Sequence, residues 1–235
     1  MSDEQVSKKV RYNVEKLYFD DYRVYEDGRE EGLNIYQNNM GRLEGGRFHD
    51  PIYNNPNAKR QIYTFGCSWT YGWDLEQEQT FTHLLGDEDT AVYNCGAGGT
   101  GFDFACKRLA EVYIPTSRRQ IFIITIPHTL RRMWFDNDGV AYKSWAIPKK
   151  MRWNEYNDYL YFLHNYEMLN SFIGREKIIW SCWGDNTSGA STNIPLELVD
   201  IKFDCVDYTN TNHPGVKSNK QYAEKLKDVL QDRFK

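Results

Sequence analysis

A chain of 235 residues is long enough to bury one sizeable α/β core, or one domain with an appended arm. A formal net charge of −4 excludes nucleic-acid binding by bulk positive charge. No apolar run reaches membrane-span length, Met1-Ser-Asp-Glu-Gln lacks signal-peptide character, and five cysteines show no C-x-x-C spacing, so the expectation is a cytoplasmic protein with reduced thiols.

Residues 1 to 60 have no clear hydrophobic period. Charges interleave with tyrosines, as in Tyr18-Phe-Asp-Asp-Tyr-Arg-Val-Tyr, and Gly41, Gly45 and Gly46 loosen the chain. Asn54-Asn-Pro-Asn-Ala is a turn-rich linker. This segment is expected to be an N-terminal arm or cap on a main domain of residues 61–235.

From Gln61 the pattern is regular. Strand-like runs occupy Ile62–Phe65, Thr90–Asn94, Gln120–Ile126, Lys177–Cys182 and Ile201–Cys205. Helix-like runs occupy Leu75–Leu85, Phe102–Tyr113, Asn154–Ile173 and Ser218–Phe234. Strands alternating with helices imply βαβ units, hence a mainly parallel sheet with helices on both faces. The expected fold is a three-layer α/β/α, flavodoxin-like domain. Gln120-Ile-Phe-Ile-Ile-Thr-Ile is nearly continuously apolar, as a central strand requires. Residues 127–153 read as a long irregular connection, the kind that more often has a function than not.

Three turns concentrate the chemistry. In Phe65-Gly66-Cys67-Ser68-Trp69-Thr70-Tyr71-Gly72 a serine sits just past a strand end, between two glycines. Open α/β sheets place their sites at such ends, and backbone N–H groups at a helix start can face an anion there. The plain alternative is a helix cap or turn serine. The second turn, Asn94-Cys-Gly-Ala-Gly-Gly-Thr-Gly101, contains G-x-G-x-x-G at Gly96, Gly98 and Gly101. A dinucleotide site would also need a carboxylate at the end of the next strand, which instead reads Ile126-Pro127-His128-Thr129. Nicotinamide-nucleotide binding is therefore the minor reading, and a loop lending a backbone N–H beside Ser68 the major one. The third turn, Asn210-Thr-Asn-His-Pro-Gly215, places His213 at a strand-to-helix junction. From there a histidine can reach the same sheet edge as Ser68, take its proton and return it. His83 and His164 fall inside helical patterns and read as packing or surface residues.

These three turns resemble the blocks of the SGNH, or GDSL, hydrolase family, over roughly residues 60 to 232. Gly66-Cys-Ser resembles the Gly-Asp-Ser block, with Cys67 in place of Asp. Asn94 through Thr100 resembles the second block, whose oxyanion-donating glycine corresponds to Gly99. Asn210 through Pro214 resembles Asp-x-x-His-Pro, with His213 as base and Asn210 at the acid position. Asp207 is the alternative partner for His213. The third block, Gly-x-Asn-Asp, is replaced by Pro127-His128-Thr129-Leu130, so that Thr129 stands at the oxyanion Asn and His128 is an alternative donor. Arg131 and Arg132 follow directly and suit an anionic substrate group. The resemblance implies a serine esterase acting on an acyl or acetyl ester, small-molecule or glycan, with no metal or organic cofactor. A non-catalytic carbohydrate-binding or assembly protein on the same fold is the alternative. The abundant aromatics, with 17 Tyr and 7 Trp, suit sugars as well as ordinary cores.

Overall fold

A computed structural model describes residues 58–96, 101–113, 119–126, 133–135, 141–143, 155–184 and 195–234. Residues 1–57 of the expected arm lie outside them, and Arg60, its last residue, already opens the first strand. The elements in chain order are β1 (Arg60–Phe65), α1 (Ser68–Tyr71), a 3-10 turn (Gln77–Gln79), α2 (Phe81–Leu84), β2 (Thr90–Asn94), α3 (Phe102–Val112) and β3 (Arg119–Thr125). They continue with β4 (Met133–Phe135), β5 (Ala141–Lys143), α4 (Glu155–Ile173), β6 (Ile178–Trp183), β7 (Ile201–Phe203) and α5 (Val216–Arg233).

Five strands form one parallel sheet in the order β2-β1-β3-β6-β7. That is the flavodoxin-like arrangement. The chain steps outward from β1 to β2, then crosses back past β1 to β3. The reversal opens a crevice at the carboxyl ends of β1 and β3, where sites of open α/β sheets form.

The period-2 alternation of strand side chains divides the core. Along β3, Phe122 and Ile124 pack with Phe102, Leu109, Phe162 and Leu169 of α3 and α4. Ile121 and Ile123 face the other way and pack with Phe81, Tyr222 and Leu226 of α2 and α5. Both faces of the sheet are therefore covered, which gives the three layers. Every residue of β6 is buried, as a central strand of such a sheet demands. Each large apolar side chain in these clusters contributes about 1.5–3 kcal/mol of transfer free energy. Among the described residues, no helix is long and apolar enough to cross a membrane.

Two segments differ from expectation. Leu75–Leu85 is not one helix. It breaks at Thr80, whose backbone is extended and whose hydroxyl accepts the His83 N–H, capping α2. The break frees the Phe81 N–H to donate to Asn219 Oδ1 on α5 at 3.0 Å. A tertiary partner has replaced an intrahelical one. The stretch read as irregular, 127–153, contains the antiparallel pair β4–β5.

Asn219 is 0% exposed, and its amide also donates to the carbonyls of Pro214 and Gly215 at 3.1 and 3.0 Å. One side chain thus joins α2, α5 and the turn ahead of α5. Asn219→Ala leaves the Phe81 N–H and the Pro214 carbonyl buried without it. Urea denaturation is expected to show a loss of about 2–3 kcal/mol. A change below about 0.5 kcal/mol would show that water or relaxation replaces those bonds.

Candidate active site

The serine turn is built by close approach of three strand ends. β1 stops at Phe65, and Gly66 lets the chain pass β3: a Cβ there would lie 2.8 Å from the Thr125 carbonyl oxygen. α1 starts at Ser68 and ends at once, because Gly72 takes the left-handed conformation (φ 78°). The N–H groups of Gly72 and Trp73 both donate to the Ser68 carbonyl at 3.1 Å. Asn94, at the end of β2, holds this turn from the side. Its amide donates to the carbonyls of Thr70 (3.2 Å) and Tyr71 (3.3 Å), and its Oδ1 accepts from the Gly96 N–H (3.0 Å). A Cβ on Gly96 would come within 2.6 Å of the Tyr71 nitrogen. Only glycine lets the two loops meet so closely. Ser68 is 8% exposed, and among the described residues its own N–H meets no acceptor.

The histidine arrives from 145 positions away. Tyr208 and Pro214 form an antiparallel bridge across the turn. Inside it, the Thr209 N–H donates to the His213 carbonyl (2.7 Å), and the His213 N–H donates to the Thr209 hydroxyl (3.2 Å). The imidazole is thereby set so that Nε2 lies 2.9 Å from Ser68 Oγ. The ring of Trp73 lies alongside it, 6.1 Å between centroids and 25° from parallel.

The other ring nitrogen, Nδ1, meets the Thr211 hydroxyl at 2.8 Å. The Thr211 hydroxyl also donates to Asp74 Oδ2, which accepts the Thr209 hydroxyl as well, at 3.0 Å. Neither expected partner of His213 meets the ring. Asn210 is exposed at the tip of the turn. The Asp207 carboxylate is occupied by α5: it accepts from the N–H groups of Lys217 (3.0 Å) and Ser218 (2.7 Å) and from the Ser218 hydroxyl (2.7 Å). The reason is local. Gly215 stands at the N-cap of α5 and has no side chain to cap with. A Cβ on it would collide with Asp207 Oδ2 at 2.5 Å. Asp207 caps the helix from a distance, and this glycine makes room for it.

Gly99, His128, Thr129, Arg131 and Arg132 lie outside the described residues. His83 is half-buried on α2, and His164 is exposed on α4. Three contributors were missed in the sequence: Thr211, Asp74 and the side chain of Asn94. For Asn94 a signal existed, since it opens the second turn. For Asp74 and Thr211, 137 positions apart, local pattern holds none. Among the described residues, no group of three or more His, Cys, Asp or Glu is placed to hold a metal ion.

No protein-family model matches the chain, and no curated protein sequence does. Solved structures do. One is of a carbohydrate esterase whose active site displays divergent catalytic and non-catalytic binding functions. It is 15% identical, with a TM-score of 0.51 over 76% of this chain and 66% of that one. The two chains share a fold, a mainly parallel sheet between layers of helices. Two further structures align at lower TM-scores. A G-D-S-L family lipolytic protein from Veillonella parvula is 12% identical (TM-score 0.49, 73% of this chain and 98% of that one). The esterase EstA from a Pseudoalteromonas species is 15% identical (TM-score 0.45, 73% and 97%). The present chain spans 66%, just under two thirds, of the carbohydrate esterase chain.

Burial alone would raise the Asp207 pKa. The Ser218 hydroxyl and the Ser218 and Lys217 N–H groups outweigh it and hold the carboxyl below its ordinary value. A lowered folded pKa means stabilisation that is present above the unfolded value of about 3.9 and fades as pH falls through the folded one. Asp207→Ala is therefore expected to cost about 1 kcal/mol at pH 7. The difference from the parent should shrink below about pH 4. Thermal melts across pH 3–7 measure both, and a pH-independent difference would point to lost packing rather than lost charge.

Proposed function

We propose that the protein is a serine hydrolase that cleaves an ester, an acyl or acetyl ester whose alcohol part is a carbohydrate. The observation that carries this reading is the 2.9 Å contact between Ser68 Oγ and His213 Nε2 at the crevice of the sheet. Ser68 attacks the ester carbonyl while Nε2 takes its proton. The oxyanion faces the N–H groups of Ser68 and Gly99, with Thr129 or His128 as the third donor. The tetrahedral intermediate collapses, His213 returns the proton to the departing alkoxide, and the acyl group stays on Ser68. Water, deprotonated by the same nitrogen, then releases the acid and restores the serine. Arg131 and Arg132 bind an anionic group on the substrate. An ester suits this site better than an amide, because an alkoxide leaves more readily than an amine. Support for a sugar comes from Trp73, half-exposed beside the imidazole, and Tyr71 tilted against it at 6.3 Å, which together offer a stacking face.

A fluorophosphonate probe is expected to label the native protein, and Ser68→Ala to abolish labelling. His213→Ala should slow labelling by several orders of magnitude, as loss of a general base does. Acetate release from an acetylated oligosaccharide tests the alcohol part. Labelling that survives Ser68→Ala places the nucleophile elsewhere, and folded protein that is never labelled is a binding module.

A further inference from the structure

We propose that Asp74, acting through the Thr211 hydroxyl, is the positioning carboxylate of the site: it selects the tautomer of His213 and stabilises the imidazolium form. The inference rests on the serine-hydrolase reading above and names a residue that reading lacks, since the side chain at the usual acid position, Asn210, does not meet the ring.

Proton accounting supports it. A threonine hydroxyl has one proton to donate and lone pairs with which to accept. Thr211 Oγ1 lies within reach of three groups: Asp74 Oδ2, His213 Nδ1 and, at a longer 3.4 Å, the Thr209 hydroxyl, whose own proton goes to Asp74. An ionised carboxylate can only accept. The Thr211 proton therefore points to Asp74, and the lone pair of Thr211 faces Nδ1. Nδ1 must then be the protonated nitrogen of the neutral ring. Nε2 is left bare, 2.9 Å from Ser68 Oγ, ready to accept. The Thr209 hydroxyl repeats the pattern. It accepts the His213 backbone N–H and donates to the same carboxylate oxygen. Every donor in the chain Ser68, His213, Thr211, Asp74 points the same way.

No proton needs to travel to Asp74. When Ser68 attacks, its proton stops on Nε2, and the Nδ1–H and Thr211 O–H stay where they are. The positive ring then faces a hydroxyl polarised by a carboxylate, which lowers the cost of the charge. The other titratable groups on the two loops are Cys67 and Tyr71 beside the serine and Asp207 and Tyr208 beside the histidine. Asp207 is committed to α5, so Asp74 is the carboxylate hydrogen-bonded into this chain. Its backbone is in the left-handed region (φ 64°), which few side chains other than Asn and Asp adopt readily. Asn is therefore the substitution that removes the charge and keeps the turn.

The test is nitrogen-15 NMR of the His213 ring, with kinetics on a chromogenic acetyl ester beside it. In the parent, Nδ1 should carry the proton. Thr211→Val should move the ring toward the Nε2–H tautomer, and Thr211→Ser should restore the parent spectrum. Asp74→Asn should lower the titration midpoint of His213 by about half a unit to one unit. The acidic limb of kcat/KM should move down with it, because the neutral ring is the active base. Thr211→Val and Asp74→Asn should each reduce kcat about 10- to 100-fold with KM little changed. The double variant should be no worse than the more damaging single one, since both break one chain. An unmoved tautomer and midpoint in both single variants would overturn the proposal, as would losses confined to melting temperature or KM, which a merely structural turn would give. Turnover that survives Ser68→Ala or His213→Ala sinks the hydrolase reading instead, while the NMR result still decides what Asp74 does to the ring.

Discussion

Parallel pairing of β1 with both β2 and β3 is the constraint on which the site depends. The pairing runs through Thr64 opposite Asn94 on one side and through Phe65 opposite Ile124 on the other. All three strands therefore end at one edge, and the loops leaving them must share a small space. Glycine at 66 and at 96 is the steric consequence, since a Cβ at either would strike backbone of a neighbouring segment. Asn94 is the polar consequence: the serine loop, packed against the ends of β2 and β3, buries carbonyls that require a donor, and its amide supplies it. The serine is fixed from below by the sheet and from the side by this amide.

The histidine half is held differently. It sits on a short bridged turn that owes its position to α5, and α5 owes its place to Asn219, Tyr222, Ala223, Leu226 and Leu230 buried against the sheet. Tyr222 also ties the helix to the strands, through hydrogen bonds to Ser181 on β6 and Thr125 on β3. With its hydroxyl fully buried, the Tyr222 pKa is driven upward by desolvation despite those partners. The helix start then competes with the site for the nearest carboxylate. Two backbone N–H groups and a hydroxyl outbid an imidazole for Asp207, because an uncapped helix start with orphaned donors costs free energy whether or not substrate is present. The hydrogen-bond chain from the imidazole ends instead at Asp74, a residue on the serine's own loop. Asp74 and the threonines thereby link the two halves of the site directly, serine loop to histidine turn, across the mouth of the crevice.

Much was legible in the residues themselves. Strand identity followed from runs such as Gln120–Ile126, whose apolar continuity only a buried parallel strand can use, and the apolar stripe of Tyr222, Leu226, Val229 and Leu230 marked α5. The order of strands and helices implied the three layers, and the turn chemistry of Gly66-Cys-Ser and Asn-His-Pro singled out Ser68 and His213. Each of these signals is local: a period, a glycine, a junction between a strand and a helix. Where a local period was contradicted by a tertiary partner, as at Thr80 and Phe81, the reading failed, because the Asn219 carboxamide accepting the Phe81 N–H lies 138 positions away.

The partner of His213 was beyond sequence for the same reason. The family resemblance put Asn210 at the acid position, three before the histidine, with Asp207, six before it, as the substitute. What decided the matter was which groups each carboxylate could satisfy in space. Asp207 is held by Lys217 and Ser218, and Asp74 reaches across to Thr209 and Thr211. By itself the sequence determined the kinds of element, their order and the two turns whose serine and histidine meet in space, because those depend on neighbours in the chain. Only the tertiary structure decided the hydrogen-bond partner at Nδ1, because that depends on competition for donors and acceptors among residues that folding alone brings together.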